Sequence, residues 1–319
     1  MNLMSPLLFN NYERPIFLFH RVNPRRDVMW DPTDPVLFER VLQFLQKNFT
    51  ILPLDELIEA PTKRYAKPLT ALSFDDGYLD FIEYALPLLK KYDIPSTMFI
   101  ATECIDLQQP IWTYLVDNLF FHSKKTALNA DALGKLPEHL LRPKWVNGEE
   151  RNAYGRQIKR YLKTAPAKER NSIIQELKHQ LDDVEIPRNL MMTWADVSSI
   201  RAQGVQVAAH SVTHPTMDTL PDDETIKFEL QHAAVRIKEE TGAVSKYFSY
   251  PNGSYNDRVL ELTKEAGYDA AFAVGQQSFR KESHDRFAIP RIEIYNGSWV
   301  KTLARLTGAF SLYQKLWNK

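Results

Sequence analysis

Short apolar runs that end in polar or glycine-containing turns and lead into amphipathic segments constrain this chain most. They fall at 15–20, 51–52, 69–74, 96–101, 205–209, 247–250, 268–274 and 289–294. The intervening stretches carry helix signals. Asp34 can cap and Pro35 open a helix that puts Phe38, Val41, Leu42 and Leu45 on one face. A helix is expected over 78–91. Thr193-Trp-Ala-Asp196 reads as a capping box, with Gly204 at the helix end, and a longer helix over 222–240 stops at Gly242. Asn256 caps a helix that ends at Gly267. This repetition predicts an α/β protein with a mostly parallel sheet, open or closed into a barrel.

Residues 103–190 break the rhythm. Helical periodicity at 111–121 and 170–181, charged loops and no strand pattern read as a helical insertion on the side of the main domain. The reading is therefore one domain over 1–319, with the insertion at 103–190 and a C-terminal helix at 297–316. The 319 residues, 44% hydrophobic and 25% charged, suffice for such a domain. Forty basic residues balance forty acidic ones, so no global attraction to nucleic acid is expected. No apolar run approaches the roughly 20 residues that span a bilayer, and the first 20 residues lack the pattern of a secretory leader. The single cysteine, Cys104, excludes an intrachain disulfide and reads as a buried small hydrophobe. A cytoplasmic location is the expectation.

Three polar clusters follow strands directly: Asp75-Asp76, His210 to His214, and Pro251-Asn252-Gly253. Parallel α/β folds gather ligands at the carboxyl ends of their strands, which would place these groups around one pocket. Histidines four apart on a helical turn face one side, so His210 and His214 could reach one ion. Alone, such a pair reads as two incidental histidines. With a carboxylate it gives three protein ligands and an open position, the pattern of a catalytic metal site. A second, adjacent carboxylate is then free for base chemistry.

Leu72-Ser-Phe-Asp-Asp-Gly77 followed by His210-Ser-Val-Thr-His214 resembles the first two signature motifs of the polysaccharide deacetylase family, the NodB-homology group of carbohydrate esterase family 4. Tyr247-Phe-Ser-Tyr-Pro-Asn-Gly253 resembles its third, and Phe19-His-Arg-Val22 and Ile289-Pro-Arg-Ile292 resemble a bacterial branch. The resemblance spans about 15–102 and 190–295 and leaves the insertion mostly unexplained. It implies a distorted (β/α) barrel with fewer than eight repeats and a divalent ion, zinc first among candidates. By position, Asp75 would be the base, Asp76, His210 and His214 the metal ligands, and the backbone N–H of Asn252 an oxyanion donor. Tyr250 and Pro251 would contact substrate.

Two positions depart from the family pattern. Ser249 stands where an arginine usually orients the base, and Arg291 where a histidine usually acts as general acid. A guanidinium does not readily give up a proton, but it pairs with carboxylates in a bidentate fork. Arg291 is therefore expected to pair with Asp75, which leaves His20 as the candidate acid or substrate contact. Trp112, Trp194, Tyr250 and Tyr295 could form a sugar platform, although aromatics so spaced are more often core. The run 301–315, apolar among basic residues, reads as a docking helix, with peripheral contact to the inner face of a membrane as the alternative. Together these readings predict N-deacetylation of an N-acetylated sugar in a bacterial envelope glycan or its precursor. The competing readings are deacylation or deformylation of another amide, and a catalytically silent carbohydrate-binding protein.

Overall fold

The computed structural model describes residues 8–9, 12–26 and 30–317, so part of the segment read for a leader lies outside the described residues. The apolar runs form strands β1 (Ile16–Phe19), β2 (Thr50–Ile51), β3 (Leu69–Phe74), β4 (Thr97–Ile100), β5 (Gln206–Ala209), β6 (Tyr247–Ser249), β7 (Ala270–Val274) and β8 (Ile289–Glu293). All pairings between them are parallel, in the order β1-β8-β7-β6-β5-β4-β3. The β1–β3 pairing, with Ile16 opposite Ala71 and Phe19 opposite Phe74, closes the ring. The result is a seven-stranded parallel barrel with β2 paired outside it to β3, one strand short of a full (β/α)8 barrel.

Because side chains alternate along a strand, each strand serves two environments. Ile16, Leu69, Ala71, Phe99, Ala208, Tyr247, Ala270, Phe272 and Ile289 form one buried cluster. The alternate residues Phe17, Phe19, Leu72, Phe74, Met98, Ile100, Val207, Phe248 and Ile292 pack in a larger cluster with the helices. The first set fills the barrel and the second carries its helical coat. Helix caps set the connections as the sequence predicts: Asp34 accepts from Val36 and Leu37 N–H, Thr193 and Asp196 form a capping box, and Gly242 takes the left-handed conformation.

Two helices differ from expectation. Over 78–91 the first regular turn is a π-helix, Phe81–Ala85, which runs into an α-helix, Leu86–Lys91. Tyr78 is instead bridged to Met191, and Leu79 N–H bonds to Leu190 O, so this stretch is a seam with the chain returning from the insertion. Leu86 N–H reaches back five residues to Phe81 O, and Pro87 has no N–H with which to restore the α register. The expected helix at 297–316 is two helices, Trp299–Leu306 and Ala309–Trp317. Gly308 between them has φ +84°, and a Cβ there would lie 2.9 Å from the Phe9 ring. Among the described residues, no helix is long and apolar enough to cross a membrane.

Between β4 and β5 the chain contributes helices Thr102–Leu107, Trp112–His122, Gly148–Leu162 and Ala167–Gln180. The last three surround a separate apolar cluster that includes Leu115, Phe120, Trp145, Ile158, Leu162, Ile173 and Leu177. At its tightest point, a Cβ on Gly155 would come within 2.6 Å of the Phe120 ring. Ala would ordinarily gain about 1 kcal/mol over Gly in a helix, but overpacking of this kind costs about 1–3 kcal/mol. Gly155→Ala should therefore lower the denaturant midpoint, and an unchanged or raised midpoint would show that the two helices can separate freely.

Candidate active site

Parallel closure brings the carboxyl ends of the strands to one mouth. Asp75 and Asp76 follow β3, His210 follows β5, Tyr250 follows β6, His20 follows β1, and Glu293 ends β8. A cavity of about 380 Å3 opens there, and all six line it.

Asp76 is the focus. Its Oδ1 lies 3.3 Å from Nε2 of both His210 and His214. The three residues are at most 3% exposed, and their ligand atoms lie within 4.8 Å of one another. Neither Asp76 oxygen has a hydrogen-bond partner. His210 Nδ1 lies 2.8 Å from the Ser249 carbonyl, which can only accept, so this nitrogen carries the hydrogen and Nε2 presents its lone pair inward. Buried orphan oxygens facing two imidazole nitrogens fit a divalent cation.

The electrostatics agree. Burial pushes the Asp76 carboxyl up, but the two imidazoles outweigh it and hold the group well below the usual carboxylate range. Burial also opposes charge on both imidazoles. The neighbouring Asp75 and Asp76 overcome it at His210, whose pKa rises, whereas His214 remains depressed.

The two histidines do not meet through a helical turn, as their spacing suggested. Residues 211–213 form a tight loop in which Ser211 has φ +68° and His214 φ +56°. Hydrogen bonds hold it from several sides. The Glu229 carboxylate accepts from Val212 N–H (2.8 Å), Thr213 N–H (2.9 Å) and the Thr213 hydroxyl (2.5 Å). Thr102 and Glu103 N–H donate to the Ser211 and Val212 carbonyls, and Trp112 Nε1 donates to the His214 carbonyl. Sequence reasoning missed Glu229, although the signal was there: it shares the buried stripe of helix Asp223–Thr241 with Ile226, Leu230, Ala233 and Ile237.

Arg291 projects from β8 into the barrel interior and is 0% exposed. Its Nη1 and Nη2 donate to Asp75 Oδ1 and Oδ2, each at 2.7 Å. Nη2 also donates to Ser249 Oγ at 2.6 Å, and that hydroxyl in turn donates to Asp75 Oδ2 at 3.2 Å. Ser249 thus stands between Arg291 and Asp75 instead of leaving the site of an orienting residue empty. Burial pushes the Asp75 carboxyl up, but Arg291 and His210 outweigh it and keep it below the ordinary range. Arg291 does not line the cavity and meets it only through Asp75.

His20 faces the cavity with Nδ1 3.3 Å from Glu293 Oε1 and its ring edge-on to Trp30 at 5.2 Å. Asn252 lines the cavity in the turn Pro251–Gly253, at φ +56°. Pro251 is buried in that turn and is not on the cavity wall. Tyr250 and Tyr295 do line it, whereas Trp194 and Trp112 spend their N–H groups on Asp106 and His214. The insertion supplies another wall, through Ile111, Thr113, Asp117, Lys159 and Lys163.

The model of the polysaccharide deacetylase family matches residues 62–126 and 153–271, and the chain belongs to that family. Solved structures share the fold at low identity. The Streptococcus pyogenes deacetylase PplD, in complex with acetate, aligns with TM-score 0.60 and 16% identity over 93% of this chain and 98% of its own. IcaB from Ammonifex degensii gives 0.58 and 16% over 92% and 97%, and a de-N-acetylase from Aggregatibacter actinomycetemcomitans gives 0.56 and 16% over 91% and 98%. No curated protein sequence matches.

The ligand geometry predicts about one zinc-like divalent ion per chain, lost in His210→Ala and weakened in Asp76→Asn but retained in Asp75→Asn. Elemental analysis of the three purified variants checks this. Retention by His210→Ala, or loss from Asp75→Asn alone, would reverse the assignment. Glu229→Gln should lower metal affinity by roughly ten-fold or more through the loop it holds, as outer-sphere losses do.

Proposed function

We propose that this protein is a metal-dependent N-deacetylase acting on an N-acetylated sugar of a bacterial envelope glycan or its precursor. The observation that carries the reading is the juxtaposition of two buried carboxylates with separate partners. Asp75 is engaged by Arg291, and Asp76 faces two imidazoles and no hydrogen-bond donor of its own. A divalent ion, zinc first among candidates, held by Asp76, His210 and His214, would supply Lewis acidity to polarise the acetamido carbonyl and acidify a water.

This chain's residues perform the remaining steps. Asp75, kept ionised by Arg291, takes the proton of the attacking water. The backbone N–H of Asn252 is the donor for the developing oxyanion. His20, oriented through Nδ1 by Glu293, hands a proton to the leaving amine. Trp30, Tyr250 and Tyr295 flank the sugar. Mass spectrometry of soluble and lipid-linked N-acetyl sugars incubated with the protein should reveal loss of one acetyl group. Release of formate from a formamido analogue, with acetyl sugars untouched, would replace deacetylation with deformylation.

Arg291 provides the sharper test. Without the neighbouring guanidinium the Asp75 carboxyl should titrate higher, because the charged form loses its partner while burial remains. The acidic limb of the kcat profile should therefore move to higher pH in Arg291→Ala, and kcat should fall more than KM rises. Arg291→Lys should recover part of the loss, since an ammonium keeps the charge without the planar fork. An unchanged pH profile in Arg291→Ala would reject the role.

A further inference from the structure

One cation in the active cavity has no part in the chemistry above. Lys163 follows helix Gly148–Leu162 directly and lines the cavity with a half-buried side chain. The other charged groups there are committed. Asp75 pairs with Arg291, Lys159 with Asp117, Glu293 with His20, and Asp76 faces the two imidazoles. Lys163 makes no ion pair or side-chain hydrogen bond among the described residues. Burial and Lys159 both press its ammonium below the ordinary lysine value, against the opposing pull of Glu293, Asp117 and Asp76.

The position of Lys163 is as telling as its lack of a partner. A second, more open cavity of about 440 Å3 is lined by Lys163, Thr216, Asp218, Thr219, Asn252 and Ser254. Lys163 and Asn252 line both cavities. The lysine therefore shares both cavities with Asn252, whose backbone N–H is the proposed oxyanion donor. Carboxylates act on the Lys163 ammonium, but none among the described residues is in ion-pair contact with it, and an anionic group that arrives with the ligand would supply that contact.

We propose that Lys163 is an anion subsite, and that the substrate is an N-acetylated sugar with a phosphate or carboxylate group close to the acetamido-bearing ring. This rests on the deacetylase reading and narrows it from neutral glycans to acidic or phosphate-linked ones. The ammonium would donate to the anionic oxygens as a point charge. No covalent step is added.

The test compares three probes on the metal-loaded full-length protein: methyl N-acetylglucosaminide, N-acetylglucosamine 1-phosphate and the corresponding N-acetylated uronic acid. The native chain should show higher kcat/KM for at least one charged probe than for the neutral one, and the better charged probe identifies the anion. Lys163→Met should reduce that preference by on the order of ten-fold or more, as the loss of a charge-assisted hydrogen bond does. Lys163→Arg should retain most of it, and Lys163→Glu should invert it. Equal treatment of charged and neutral probes by the native chain would overturn the subsite. So would an intact preference in Lys163→Met, with folding checked by thermal melting.

Calorimetric titration with inorganic phosphate separates the two levels of inference. Binding that disappears in Lys163→Met without turnover of any probe would support the subsite and sink the deacetylase reading. Neither binding nor turnover would sink the subsite as well.

Discussion

The buried pair of Arg291 and Asp75 sets terms that the rest of the site must meet. A guanidinium inside a barrel of Phe99, Phe272, Ile289 and alanines is tenable only when its donors are occupied. Asp75 takes one N–H from each terminal nitrogen, Ser73 and Ser249 accept from the same two nitrogens, and Nε alone is left without a partner. Removing either charged partner from such a pair costs about 3–5 kcal/mol, because the survivor is left buried and uncompensated. Stability and chemistry are therefore joined at Asp75. The carboxylate that is proposed to take a proton is also the one that allows β8 to carry an arginine on its inward face. The pair further fixes closure of the barrel, since β3 and β8 both neighbour β1 and the guanidinium spans beneath their ends.

A second constraint is backbone strain. Among the described residues, Asp76, Ser211, His214 and Asn252 are non-glycine positions with positive φ at the mouth of the barrel. Each such conformation costs of order 1–3 kcal/mol and persists only where the surroundings over-determine it. The surroundings here do so. Glu229 takes three donors from the His210–His214 loop, the start of helix Thr102–Leu107 caps its carbonyls, and Ser211 Oγ accepts from His214 N–H. The strain turns two imidazoles toward one carboxylate, which an unstrained helical turn would also have done but without leaving their peptide groups available to anchor the loop.

What was legible in the sequence follows from the range of the interactions involved. Strands β1 to β8 show as apolar runs, and caps such as Asp34, Thr193 and Gly242 act within a few residues, so local chemistry reports them. Asp75, Asp76 and His210 each follow a strand directly, and parallel closure alone suffices to gather them. The pairing of Arg291 with Asp75 could be anticipated because one unusual residue in the family pattern needed an anion. The loop geometry at 211–214 could not, since its determinants are Glu229 on a later helix and Trp112 in the insertion. Spacing four apart suggested a helical turn because local geometry offered no other reason for convergence. The π-turn at Phe81–Ala85 escaped notice similarly: the seam with Met191 and Leu190 lies more than a hundred residues away in the chain.

The insertion illustrates how packing far from the chemistry reaches it. Gly155 allows helix Gly148–Leu162 to lie against the Phe120 ring with no side chain between. The last turn of that helix and the residue beyond it deliver Lys159 and Lys163 to the cavity wall. The facing helix Trp112–His122 supplies Asp117 to Lys159 and, from its first residue, the indole N–H that holds the His214 carbonyl. Arg170 of the next helix lies over that same indole at 5.4 Å and donates to Thr219. The inserted helices thus grip the His210–His214 loop and build one side of the cavity. A small change in their packing would therefore be expected to alter which sugars fit before it altered the carboxylates of the barrel, because Asp75 and Asp76 take their positions from β3 and from Arg291.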